Sequence, residues 1–104
     1  PRFKGPGRQR SMLYAVICID RPGALEIRKA NRDAHLAHIR GAGDAIGQAG
    51  PFLDADGQMC GSLLIFEAGD ISEVERWCAE DPYARAGLFE RVEIRPWNRV
   101  IGGT

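Results

Sequence analysis

The run Leu13–Asp20, LYAVICID, is β-branched and aromatic and presents apolar side chains to both faces of any strand it forms. Such a run suits a central strand covered on at least one side. A second run of the same kind, Cys60–Ala68 (CGSLLIFEA), follows some forty residues later. What lies around these two strands decides the fold.

Arg21-Pro22-Gly23 breaks the first run, and Pro22 is placed to open a helix. Ala24–Arg40 is helix-rich. Leu25, Lys29, Leu36 and Ile39 fall near one stripe, and Ala24, Ile27, Ala30, Ala34 and Ala37 supply small packing positions. Asn31-Arg32-Asp33 has the character of an internal cap and allows a kink near Asn31. Gly41 and Gly43 end the helix.

Asp44–Ala49 carries a weak strand signal and runs into a turn at Gly50-Pro51, while Asp56-Gly57 marks a hairpin before Cys60–Ala68. Asp70 or Ser72 caps a helix with Val74, Trp77 and Cys78 on its apolar side. Asp81-Pro82 stops that helix, because a residue preceding proline is pushed out of the α region. A short Tyr83–Gly87 segment leads to the alternating strand Leu88–Arg95, which Pro96 is expected to interrupt before a short edge strand over Trp97–Ile101. The order is β-α-β-β-α-β. We therefore expect an α+β, ferredoxin-like domain: an antiparallel sheet with its helices on one face. The uncovered sheet face then needs a cover, and a sheet-to-sheet homodimer supplies one.

Pro1–Ser11 (PRFKGPGRQRS) stands apart, with four basic residues, no acidic one and no apolar period. We expect Met12 to be the native start, Pro1–Ser11 to be a cloning remnant or disordered arm, and 12–104 to form a single domain. The alternative is a native basic arm for an anionic partner. The whole chain balances 14 Lys+Arg against 14 Asp+Glu; without the leader 10 basic residues face 14 acidic, a net of −4. An acidic domain is a poor nucleic-acid binder, since phosphate neutralisation supplies most of that affinity. The three cysteines, Cys18, Cys60 and Cys78, are widely spaced and form no C-x-x-C. Reduced buried thiols in a cytoplasmic protein are the expectation, with no membrane segment and no disulfide framework.

Arg28, Arg32 and His35 are spaced i, i+4, i+7 and share a face of a straight helix; His38 lies one turn beyond. A positioned imidazole is a candidate general base or acid. The plain alternative is a solvated helix face. Asp81, held before a proline, is suited to accept an imidazole N–H, fix its tautomer and stabilise its charged form; alone it is equally a helix stop. Ser62 is placed to donate to a substrate oxygen, but no G-x-S-x-G elbow supports a nucleophile. His35 and His38 lack a clear third metal ligand, and Gly41–Gly50 lacks a dinucleotide fingerprint, so neither a metal nor a cofactor is expected.

Taken together these residues resemble the YciI-like (YCII) family. The resemblance rests on Met12-Leu13-Tyr14, on Arg32-Asp33-Ala34-His35-Leu36 (Arg-x-x-His-Leu), and on Gly50-Pro51 and Gly61-Ser62. Trp77, Asp81-Pro82-Tyr83 and Arg95-Pro96-Trp97 extend it to about Ile101. Asp33 departs from it, since relatives often carry proline there. The resemblance implies a ferredoxin-like fold, dimerisation through the sheets into a dimeric α/β barrel, and a cleft with a His/Asp pair, here His35 and Asp81. Some relatives are linked to elimination or isomerisation in the breakdown of chlorinated aromatics.

Two functions follow as expectations. The first is a cofactor-free lyase or isomerase moving a proton on a small cyclic or aromatic substrate, with His35 and Asp81 as the acid-base pair. Arg32, Ser62 and Tyr83 would bind that substrate. The second is a non-catalytic dimeric module binding a small metabolite or a protein partner.

Overall fold

A computed structural model describes residues 11–102; residues 1–10 of the basic leader lie outside them. The elements run β1 (Met12–Asp20), α1 (Leu25–Gly41), β2 (Ile46–Leu53), β3 (Met59–Ala68), α2 (Ile71–Glu80), α3 (Pro82–Arg85) and β4 (Phe89–Trp97). The strands form one antiparallel sheet in the order β2-β3-β1-β4. This is the ferredoxin-like α+β fold.

The two runs apolar at both parities are the two inner strands, as their sequences require. β1 pairs with β3 through Tyr14↔Phe66, Val16↔Leu64 and Cys18↔Ser62. Those side chains share the helix-covered face; Tyr14, Val16, Cys18, Leu64 and Phe66, with Ala68 and with Val74 of α2, form the main core. Trp77 adds an edge-on ring contact to Phe66, at a centroid distance of 5.4 Å. Burying each such apolar side chain contributes about 2 kcal/mol. A smaller core of Ala24, Tyr83 and Leu88 packs α3 against the start of α1.

Alternation sends Leu13, Ala15 and Ile17 to the opposite face, beside Ile65 and Leu63. Ala15 and Ile65 are nonetheless buried. The segment after β4 crosses this face: Arg99 reaches Gln48 on the far edge strand (3.4 Å), and Arg99 and Gly102 border one hollow with Leu13 and Ile65. Val100 and Ile101, in that crossing segment, are 84% and 89% exposed.

Several local expectations need correction. Gly50-Pro51 is not a turn but lies inside β2, with Pro51 opposite Ser62. Pro96 does not interrupt β4, which runs through it to Trp97, and residues 98–101 form no strand. Both prolines are tolerated because β2 and β4 are the sheet's edges, where a missing N–H costs no ladder bond. The weak strand signal at Asp44 is displaced: Gly43–Ala45 is a 3-10 turn, and β2 begins at Ile46. Pro22 sits in a turn with Gly23, whose φ of 72° requires the left-handed region, and the helix starts later, at Leu25.

Helix α1 is continuous through Asn31, because that amide bonds back to the Ile27 carbonyl (2.9 Å) instead of capping a new segment. Its inward stripe also differs from the expected one. Arg28 and His35 are buried, while Lys29, Ala30, Ala34 and Ala37 face outward. The Asp70 cap holds, its carboxylate accepting from the Ser72 amide at 2.8 Å. No helix among the described residues is long and apolar enough to cross a membrane.

Candidate functional site

Arg28 and His35 are seven residues apart, so two helical turns bring both to the sheet side of α1. Between them lies the ring of Tyr83. Its centroid is 3.9 Å from the imidazole, stacked at 15°, and 4.6 Å from the Arg28 guanidinium carbon. Tyr83 reaches that slot because Asp81-Pro82 reverses the chain between α2 and α3.

Asp81 takes φ −61°, ψ 126°, the extended geometry proline demands of its predecessor. The same residue ends α2 and caps α3, its Oδ1 accepting the Tyr83 amide at 3.0 Å. That oxygen also lies 2.8 Å from His35 Nδ1, and both side chains are buried. The helix stop and the imidazole partner are thus one residue. With the Nδ1 proton directed at the carboxylate, Nε2 is left as the ring's free acceptor.

Sequence reasoning gave no role to the partner of Arg28. Nε and Nη2 of Arg28 donate to Asp20 Oδ2 and Oδ1 at 2.7 and 2.8 Å, and Nη2 also donates to Ser62 Oγ at 3.0 Å. Burial disfavours the guanidinium charge, but the bonds to Asp20 outweigh it and raise the Arg28 pKa. The helical spacing of Arg28 was visible; its burial was not, because Asp20 at the strand end is what makes that burial affordable. Tyr83 is pushed up by burial, opposed by the positive charges of Arg28 and Arg32.

Arg28, Arg32, His35, Ser62 and Tyr83 line one cavity of about 130 Å³, completed by apolar groups of α1 and by Ala49–Pro51 of β2. An apolar cavity of about 150 Å³ is known to hold benzene, so this space has the size of a single ring. Arg32 is exposed at the cavity wall and makes no ion pair among the described residues. Because Asp20 offsets Arg28, the free positive charge on the cavity is that of Arg32.

His38 is not part of this constellation. Its Nε2 lies 3.0 Å from the Trp77 carbonyl and its ring stacks on Trp77 at 4.3 Å. No group of three or more potential metal-ligating side chains occurs among the described residues. Cys18 and Cys78 are both pushed up to about 12, chiefly by burial and further by the neighbouring Asp81 charge.

The sequence profile of the YCII-related domain matches residues 12–98. Protein YciI of Escherichia coli O6:H1 is 32% identical over 98 residues, covering 86% of this chain and all of the relative. A Haemophilus influenzae protein is 31% identical over the same span and coverage. Among solved structures, 5-chloro-2-hydroxyhydroquinone dehydrochlorinase (TftG) from Burkholderia phenoliruptrix, in complex with 2,5-dihydroxybenzoquinone, superposes with a TM-score of 0.80. It is 38% identical, with 84% of this chain and 94% of that one covered. An antibiotic biosynthesis monooxygenase shares the fold alone, at 15% identity and a TM-score of 0.54, with 86% of this chain and 100% of that one covered.

Proposed function

The chain belongs to the YCII-related domain family, and from that premise we propose that it is a small cofactor-free enzyme of the lyase or isomerase type. Its substrate is a single hydroxylated or carbonyl-bearing ring, cyclic or aromatic. The observation that carries this reading is the buried His35–Asp81 contact of 2.8 Å at the wall of a ring-sized cavity. The likeness to a dehydrochlorinase of cyclic hydroxylated substrates supports it.

In this mechanism His35 Nε2 takes a proton from the substrate. Asp81 keeps the other nitrogen protonated and stabilises the positive ring that results. The electron pair left on the substrate either expels a leaving group with its bonding pair, which is elimination, or reprotonates elsewhere on the ring, which is isomerisation. Arg32 offsets the developing negative charge, Ser62 donates to a ring oxygen, and Tyr83 packs against the imidazole. A general base of this kind contributes roughly 10²–10⁴-fold.

The test is turnover of halogenated and unhalogenated hydroxyhydroquinones, read by halide release and by ring absorbance. His35→Ala in a folded protein should lose at least a hundredfold. A loss under tenfold would exclude the mechanism and favour the alternative, a non-catalytic module that binds such rings. We further propose that the chain forms a homodimer through its open sheet face. Leu63, Trp97, Val100 and Ile101 are exposed on that face or on the segment crossing it, which supports such a pairing.

A further inference from the structure

Ser62 Oγ receives a hydrogen bond from a buried cation, Arg28 Nη2, at 3.0 Å. A serine hydroxyl carries one hydrogen and two acceptor lone pairs. With its oxygen engaged by Arg28, its hydrogen is the group still to be placed, and among the described residues Ser62 is found only accepting a side-chain hydrogen bond, never donating one. Ser62 is only 4% exposed, yet it lines the cavity that also holds His35, Arg32 and Tyr83.

Arg28 has little freedom in this. Two parallel bonds to Asp20 fix the plane of the guanidinium, and a planar fork fixes where its third donor points. Since Asp20 offsets its charge, Arg28 is a poor direct anion site. It is well built to orient and polarise a neutral donor, because a hydroxyl whose oxygen accepts from a cation donates more strongly.

We infer that Arg28, clamped by Asp20, is a positioning residue that fixes Ser62 as a hydrogen-bond donor into the cavity, and that its target is a negatively charged ring oxygen, a phenolate or enolate. The nature of the target rests on the function proposed above; the direction of the hydroxyl does not. The donor set then divides the work. Ser62 meets the anionic oxygen, Arg32 supplies net charge, and His35 handles the proton.

Two measurements test this. Neutron diffraction on the deuterated, ligand-free protein should show the Ser62 deuterium directed into the cavity while Oγ accepts from Arg28. A deuterium directed at a protein carbonyl would overturn the inference. The second measurement titrates 2,5-dihydroxybenzoquinone by its absorbance into wild type, Ser62→Ala, Ser62→Thr, Arg28→Lys, Asp20→Asn and the Arg28→Lys/Ser62→Ala double variant. Ser62→Ala and Arg28→Lys should each weaken binding about ten- to hundredfold, and the double variant should bind no worse than Ser62→Ala. Ser62→Thr, which keeps the hydroxyl, should stay within a few fold. Losses that multiply in the double variant would mean Arg28 does not act through Ser62. Asp20→Asn loosens the clamp and, in a folded protein, should weaken binding as Arg28→Lys does; where neither variant folds, the neutron map and the contrast between Ser62→Ala and Ser62→Thr decide. If wild type leaves the quinone unbound, the charged-oxygen target and the ring substrate fall together, while the neutron map still decides the hydroxyl's direction.

Discussion

The Asp81 oxygen that meets His35 Nδ1 at 2.8 Å is the oxygen that accepts the Tyr83 amide at 3.0 Å. One atom therefore serves a helix cap and an imidazole, and the two uses separate under substitution. Asp81→Ala removes both and should cost about 3 kcal/mol in urea unfolding, the combined scale of a lost cap and a buried N–H left without an acceptor. Asp81→Asn retains a cap oxygen and should cost no more than about half as much. Its activity should still fall at least tenfold, since a neutral amide no longer stabilises a charged ring.

A methyl group at position 61 has no room. A Cβ built on Gly61 would stand 2.5 Å from the Cys18 carbonyl oxygen and 3.0 Å from Phe52 Cδ2. The first of these is backbone of the neighbouring central strand and gives way only if β1 and β3 move apart. Gly61→Ala should therefore destabilise by at least about 2 kcal/mol, read as a lowered melting temperature. Gly50→Ala, with nothing within 4 Å of its Cβ, is the control and should stay within about 0.5 kcal/mol.

The thiols predict how stability changes in alkali. Cys18 and Cys78 ionise near 12 in the folded protein, against an ordinary value of 9.0. Both thiols are raised by folding, so below pH 9 their contribution is fully present. As pH rises from about 9 towards 12 the unfolded chain ionises first and the contribution is lost. Melting temperature should fall over that window, and the fall should be shallower in a Cys18→Val/Cys78→Ala variant. An equal slope in both proteins would contradict the assignment. At neutral pH both thiols should react slowly with a disulfide reagent until the protein unfolds.

The proposed homodimer is tested on the open face. Light scattering of the wild type should give twice the chain mass at micromolar concentration. Leu63→Glu places a charge in the middle of that face and should yield monomers with an intact far-ultraviolet spectrum. A monomeric wild type would remove the proposal.

Much of this architecture is legible in the residues, for a physical reason. Runs such as Leu13–Asp20 and Cys60–Ala68 have one stable home, the interior of a sheet, and Asp81-Pro82 leaves its first residue one allowed backbone region. The proline-bearing strands were harder, since whether Pro51 and Pro96 break a strand depends on whether that strand is an edge. That is a property of the assembled sheet. The pairing of His35 with Asp81 is an implication of the family resemblance; the residues alone leave open whether the two side chains meet, and their chemical roles rest on the proposal above. The Asp20–Arg28 pair escaped notice because helix periodicity reports spacing and is silent about a carboxylate eight residues upstream. Only the packed structure shows that a charged stripe of α1 faces inward.

The prolines at the two sheet margins have a consequence for how molecules of this protein meet. Each lies in a margin strand, Pro51 in β2 and Pro96 in β4, and interrupts the row of donors that an incoming strand from another molecule would need. End-to-end growth into ribbons is discouraged on both flanks. That leaves the broad apolar surface for the homodimer proposed above, in which contact between two identical patches would close on itself and stop.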